Sequence, residues 1–219
     1  TTPPDKIFYD QEQCVMWSPR GLGADDRAGV YAIISLVERG YHPSIIFTDL
    51  EECGCVGADS LVKKYPYCIF NECKAIIQLD RRGKHDAVYY NCDNEAFTQK
   101  INSYGFKTED GTFSDISSIA PVWGIAAVNL SVGYYNEHKS IETLNMKELN
   151  ATIDKVEKML QDCGDWMSYA YIPGIHSIYM NDVWLNDRCV ICGRMIPKNK
   201  GHYCYATSIP EDDFLMCEI

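Results

Sequence analysis

GLGADDRAGV, residues 21–30, sets two aspartates, Asp25 and Asp26, between a glycine-rich turn and an apolar run with helical spacing. One aspartate there has an ordinary task, because its side chain accepts hydrogen bonds from the free N–H groups of a first helical turn and its charge suits the positive end of the dipole. The second carboxylate is surplus. Other chemically capable residues share its placement: Glu51 and Glu52 follow SIIFTDL, Asp80 closes AIIQLD, and His138 comes just after AAVNLSVGYYNE. Each falls at or beside the carboxyl end of an expected strand, the rim where open α/β sheets bind ligands. Three or four carboxylates and an imidazole on one rim repel one another unless cations intervene, and paired divalent metals would resolve the repulsion. Oxygen-rich ligation with one imidazole per metal and a position left open is the pattern of catalytic zinc, with Mn2+ or Co2+ as substitutes. Two ions about 3.5–4 Å apart can share one carboxylate and activate a water. One aspartate of the pair would then bridge the metals while the other caps or packs.

The elements that must position these residues alternate. KIFYD and CVMWS read as a hairpin, residues 27–39 as a helix with Val30, Ile33, Ile34 and Val37 on its apolar side, and SIIFTDL as a strand. A short helix near 57–65 and the strand KAIIQLD follow, then AVYYN as a strand, NEAFTQKINSYG as a helix, and AAVNLSVGY as a buried strand. The last long helix, 146–162, places Leu149, Ile153, Val156 and Leu160 on one face. This βαβ rhythm predicts an α/β domain. From about Gly164 the pattern gives way to aromatic-rich irregular sequence and a cysteine-bearing tail.

Composition narrows the function. The 219 residues, 46% hydrophobic and 23% charged, suit a globular chain with a substantial core, and the formal net charge of -11 comes without the clustered Lys and Arg that a nucleic-acid surface needs. No apolar run approaches membrane-spanning length, and TTPPDKIFYD lacks the basic and apolar regions of a signal peptide. A cytoplasmic protein with neither nucleic-acid nor membrane partners is the expectation. The 11 cysteines are many, but Cys68, Cys73 and Cys92 fall inside apparent strands or helices, where buried thiols rather than a disulfide framework are expected.

GLGADDRAGV followed by IIFTDLEECGCVGA resembles the co-catalytic di-zinc exopeptidases, a superfamily of aminopeptidases, peptidase T-like tripeptidases and glutamate-releasing carboxypeptidases. The first motif is similar to the family's bridging-aspartate turn and the second to its FT-x-x-EE-x-G-x-x-GA segment, in the same order. AIIQLDRRG resembles the strand that ends in the third acidic ligand, and VGYYNEHKSIE the terminal histidine loop, so the resemblance runs from roughly residue 5 to 162. It implies a three-layer α/β domain, a mixed, mostly parallel sheet flanked by helices, over residues 1–164, with a Cys-rich extension over 165–219. It implies two Zn2+ ions, with Asp25 bridging, Glu52 and His138 completing the protein ligands of one, and Asp80 serving the other. Glu51 would be the general base, since a carboxylate held beside a metal-bound water without ligating can move its proton. Glu142, four residues after His138, either orients ligands or faces solvent. GTFSDISS resembles a segment near the substrate, so Ser114 and Asp115 either contact a peptide terminus or serve an ordinary capped turn.

The sequence departs from the family in one respect. The family carries a first histidine, in a His-x-Asp motif upstream of the bridging aspartate, and no histidine precedes Asp25 here. Either the chain starts partway into the domain, which is the expectation, or the site is degenerate. His42 and His85 read as surface-loop residues, and His176 has no motif around it. The stretch between Asp80 and His138 is too short for an inserted lid domain, which favours an aminopeptidase-like architecture. In the tail, Cys189 and Cys192 form a Cys-x-x-Cys-Gly turn with His202, Cys204 and Cys217 downstream. A structural Zn2+ on Cys189, Cys192, Cys204 and Cys217 is one reading, and a loosely packed tail without a joint role for the cysteines is the other. The expected activity is therefore metal-dependent cleavage of a terminal peptide bond, with self-association an open option. An N-acyl amino acid amidohydrolase and an inactive metal-binding scaffold are the alternatives.

Overall fold

In a computed structural model, Pro4 and residues 6–174 are described, and the first compact unit of the chain ends at Ile172. Its sheets follow from alternation and from turns. Strands β1 (Phe8–Asp10) and β2 (Val15–Trp17) pair as the expected hairpin, with Phe8 opposite Trp17 and their rings stacked at 4.6 Å. The Asp10 carboxylate closes the turn by accepting the N–H groups of Glu12 and Gln13. Strands β7 (Tyr134–Tyr135) and β8 (Thr143–Asn145) extend this antiparallel sheet in the order β1-β2-β8-β7.

The second sheet is mixed. Strands β3 (Ile76–Arg81), β4 (Asp86–Val88), β5 (Lys107–Thr108) and β6 (Ala127–Ser131) lie in the order β3-β6-β4-β5. β3 runs parallel to β6 and β4 to β5, while β4 and β6 are antiparallel. Every residue of β6 is buried, as a strand covered on both faces requires. Val128 and Leu130 enter a core shared with helices α1 (Ala24–Glu38) and α5 (Met146–Asp162). Ala127 packs instead with Ile116 and Ala120 of helix α4 (Asp115–Trp123), beside which lies α2 (Val56–Lys64). Helices thus flank the sheet on both faces, the α/β architecture expected. Helix α3 (Glu95–Asn102), capped by Asn94 accepting the Phe97 N–H, buries Phe97 and Ile101 in the larger core. Trp166 and Tyr169 are buried there too.

Helix α5 follows its pattern. Asn145 caps it by accepting the N–H groups of Lys147 and Glu148, and Leu149, Ile153 and Val156 are buried, with Met159 taking the deeper place beside half-buried Leu160. Helix α1 does not. Ala24, Ala28, Gly29, Ala32 and Leu36 face inward, whereas Ile34 and Val37 are 48% and 38% exposed. The reason is close approach: a Cβ at Gly29 would stand 1.7 Å from the Leu79 carbonyl oxygen of β3, so only the small-residue side of α1 fits the sheet.

Two local expectations fail. SIIFTDL forms no strand, because among the described residues no ladder partner flanks it. Cys68 and Cys73 lie in the loop between α2 and β3, and Cys92 in a turn before α3, not within helices or strands. No helix among the described residues is long and apolar enough to cross a membrane.

Candidate metal and catalytic site

Four separate stretches deliver the site. Gly23, left-handed at φ +64°, turns the chain into α1, and Asp25 keeps extended backbone angles (φ −79°, ψ 111°) before regular helix begins. The Asp25–Asp26 peptide bond is cis. The expected helix cap is absent at this end: no side chain of the turn caps α1. The N–H groups of Gly23 and Asp25 are instead taken by the carboxylate of Glu142, the second at 3.0 Å, and Glu142 is only 4% exposed. Of the two readings of Glu142, the structure supports the orienting one. Glu51 and Glu52 ride on a single 3-10 turn, Glu51–Cys53, entered and left through left-handed Leu50 and Gly54. His138 lies in the loop between β7 and β8.

These stretches converge. The Nε2 atom of His138 stands 2.6 Å from Glu52 Oε1 and 3.1 Å from Asp25 Oδ2. One ligand atom from each of the three residues lies within 4.8 Å of the other two, a spacing that a single divalent ion can occupy. The donor set, two carboxylates and an imidazole, fits zinc with a position left open. Asp80 reaches the rim through β3. Its backbone is clamped by Asn129 of β6, whose Oδ1 accepts the Asp80 N–H and whose Nδ2 donates to the Asp80 carbonyl, both at 2.9 Å. Among the described residues its buried Oδ1 meets no hydrogen-bond donor, which suits a carboxylate oxygen offered to a cation.

Electrostatics carry the mark of crowded acids. Burial first, and then Asp25, Glu51, Asp26 and Asp115, push Asp80 up to about 8. Burial and then Glu52 and Asp115 push Glu51 up to about 7. Asp25 rises to about 6, chiefly through burial, with His138 working in the opposite direction. For His138, partial burial lowers its affinity for a proton but Glu52 and Asp25 raise it by more. A bound cation would offset the charge that burial disfavours on these carboxyls.

Ser114 and Asp115 stand at the capped start of α4, the second of their two readings. Ser114 is the residue before α4, its hydroxyl donating to Gln78 Oε1 at 3.0 Å and its N–H donating to Ser117 Oγ at 3.2 Å. Asp115 is buried and accepts from Thr48 Oγ1 at 2.5 Å, while its other oxygen meets no donor among the described residues. Asn129 and Glu142 are the supports that spacing alone underrates. The only signal for Glu142 is its four-residue offset from His138, and nothing local marks Asn129 inside its apolar strand. A shallow open cleft bordered by Arg82, Tyr135, Asn136, Glu137 and Lys139 lies beside His138. His176, Cys189, Cys192, His202, Cys204 and Cys217 lie outside the described residues.

No protein-family model and no curated protein matches the chain. Solved structures do. The chain is similar to aminopeptidase PepT of Bacillus cereus, with 18% identity and a TM-score of 0.54 over 75% of this chain and 78% of that one. It is similar to the TET1 peptidase of Pyrococcus horikoshii, with 19% identity and a TM-score of 0.51 over 71% of this chain and 53% of that one. An aminopeptidase of Desulfurococcus kamchatkensis gives 16% identity and a TM-score of 0.53 over 72% and 51%. The chain thus spans about half the length of two of these three. Their shared fold is the one that the motif resemblance implies.

Proposed function

We propose that this chain carries the site of a metal-dependent hydrolase, most simply an exopeptidase of aminopeptidase type acting on peptides. The observation that supports it is the meeting of Asp25, Glu52 and His138 from three distant stretches at metal-ligand spacing. Those residues would hold one divalent ion, zinc foremost with manganese or cobalt as substitutes, and Asp25 with Asp80 would offer carboxylates to a second. A cation bound there supplies Lewis acidity toward a scissile carbonyl and lowers the pKa of an attacking water. Glu51, beside Glu52 but outside the ligand group, takes the proton of that water and returns it to the leaving amine, a role suited to a carboxyl pushed to about 7. Glu142 holds the Asp25 turn by its backbone, and Asn129 does the same for Asp80.

A second reading has its own support. The ligand group contains one imidazole, and Asp80 has none beside it among the described residues, which suits a metal-binding module without turnover. An N-acyl amino acid amidohydrolase would use the same ligands and base. Metal content by mass spectrometry, with turnover of aminoacyl amides set against N-acetyl amino acids, separates the three. Bound metal with amide turnover supports the aminopeptidase. Metal without turnover supports the silent module, and a chain that takes up no metal removes all three. TET1 assembles into a tetrahedron or an octahedral shell, and we extend self-association to this chain on that likeness. A structural zinc on Cys189, Cys192, Cys204 and Cys217 and a cytoplasmic location belong to the same proposal.

A further inference from the structure

Helix α4 begins at Asp115, and the residues at that start bond toward both sides of the acidic rim. Toward Asp80, the Ser114 hydroxyl donates to Gln78 Oε1, which also accepts the Ile116 N–H at 3.4 Å, and Gln78 Nε2 stands 3.5 Å from Asp80 Oδ2. Asn129 Nδ2, which donates to the Asp80 carbonyl, lies 3.4 Å from the Ser114 hydroxyl as well. Asp115 turns the other way. It is 7% exposed, and its Oδ2 accepts the hydroxyl of Thr48, 67 residues distant in sequence, at 2.5 Å, the length of a charge-assisted O–H···O bond. An acid in a first helical turn suits the helix dipole, but that role asks for neither burial nor a partner on another segment.

Thr48 stands three residues before Glu51 in the segment that has no ladder partner among the described residues. Backbone bonds tie that segment to nearby chain, from the Gly57 N–H to the Asp49 carbonyl at 3.0 Å and from the Val56 N–H to the Leu50 carbonyl at 3.3 Å. Cys55 and Ala58 pack with Ile119 and Trp123 and so bring α2 against α4, but apolar packing is non-directional. The Thr48–Asp115 bond supplies a direction.

We propose that Asp115 is a positioning residue, which holds the Glu51–Glu52 turn through Thr48 at a fixed place relative to Asp80. The same end of α4 supports Asp80 through Ser114, Gln78 and Asn129, so one helix start sets the spacing of the two sides. The consequence for chemistry rests on the hydrolase reading above, whereas the tether itself needs no metal. The general base Glu51 and the ligand Glu52 share a single 3-10 turn, so a shift of that turn moves both at once. Asp115 lies outside the ligand group and acts through Thr48.

Thr48→Val keeps the shape of the side chain and removes the donor, while Thr48→Ser keeps the donor. In metal-free full chain, amide hydrogen exchange reads the tether: Thr48→Val should speed exchange over residues 51–57 roughly 5- to 30-fold, as the loss of one strong hydrogen bond would, and leave α5 unchanged. Zinc titration under a competing chelator should show affinity about 10- to 100-fold weaker in Thr48→Val. Thr48→Ser should restore both readings. Asp115→Asn should weaken zinc binding in the wild-type background but add nothing to Thr48→Val, because the two residues act as one unit. Unchanged exchange in Thr48→Val, a serine variant that behaves like the valine, or zinc losses that add in the double variant would overturn the assignment, the last by showing that Asp115 acts through its charge alone. A wild-type chain that takes up no zinc would remove the hydrolase reading, and the exchange comparison would still decide the tether.

Discussion

The acidic rim has two sides that answer the same electrostatic problem differently. On one, Asp25 and Glu52 share the imidazole of His138, whose side chain is 59% exposed, and Asp25 rises only to about 6. On the other, Asp80 and Asp115 are pressed into the sheet and the start of α4, each with a buried oxygen that meets no donor among the described residues, and Asp80 rises to about 8. The contrast is one of burial first and of a neighbouring imidazole second. Where the chain brings its own imidazole, a carboxylate is held closer to its charged form. Where it does not, deeper burial and the neighbouring acids push the carboxyl further up.

The largest break in this comparison is Asp25→Ala. Asp25 belongs to the imidazole side and raises Asp80 on the other, so its loss should weaken metal binding by more than about 100-fold, beyond the range of supporting residues, and abolish turnover. Titration with zinc under a competing chelator measures it, and unchanged affinity would remove Asp25 from the ligand set. Glu51→Gln should leave metal content intact while turnover falls roughly 10²- to 10⁴-fold, as for a lost general base. Equal metal loss in both variants would mean that Glu51 is a ligand. Glu142→Gln, which touches only the support beneath Asp25, should cost about 10- to 100-fold in metal affinity, the range typical of residues that orient ligands.

Two smaller effects sharpen the buried side. The folded chain holds protons on Asp25 and Asp80 that the unfolded chain releases near pH 4, so the stability this contributes is present below about pH 4 and lost as pH rises through about 6 and then about 8. The Tm of chelated protein should therefore fall between about pH 5 and about pH 8, and excess zinc, which binds the deprotonated ligands, should reverse the slope. A flat profile under chelation would contradict the buried-proton account. Asp80→Asn should raise the Tm of metal-free protein at about pH 8, by about 2–4 °C if roughly 1 kcal/mol is recovered, while lowering metal capacity. A lower Tm in that variant would show that Asp80 is stabilised by contacts other than those described.

Much of this was legible in advance. The α5 stripe survives folding because an amphipathic face of Leu149, Ile153 and Val156 needs only a partner surface, and the spacing alone states which residues lie on it. The same rule misreads α1. There the apolar side carrying Ile34 and Val37 is turned outward because Gly29 must pass the Leu79 carbonyl, a constraint belonging to the distance between two elements rather than to either one. SIIFTDL has strand composition, yet a strand is a property of two neighbouring segments, and the second is absent among the described residues.

By itself the sequence determined the chemical types and their positions near element ends. Asp25, Glu52 and His138 could be singled out because the short motifs around them, GLGADDRAGV, IIFTDLEECGCVGA and VGYYNEHKSIE, resemble those of the di-zinc exopeptidases. Only the tertiary structure decided how those side chains meet and what holds them. Glu142 reaches back to the N–H groups of Gly23 and Asp25, and Asn129 clamps the backbone of Asp80. Hydrogen bonds across such separations leave no periodicity in the chain, because they depend on where whole elements come to rest.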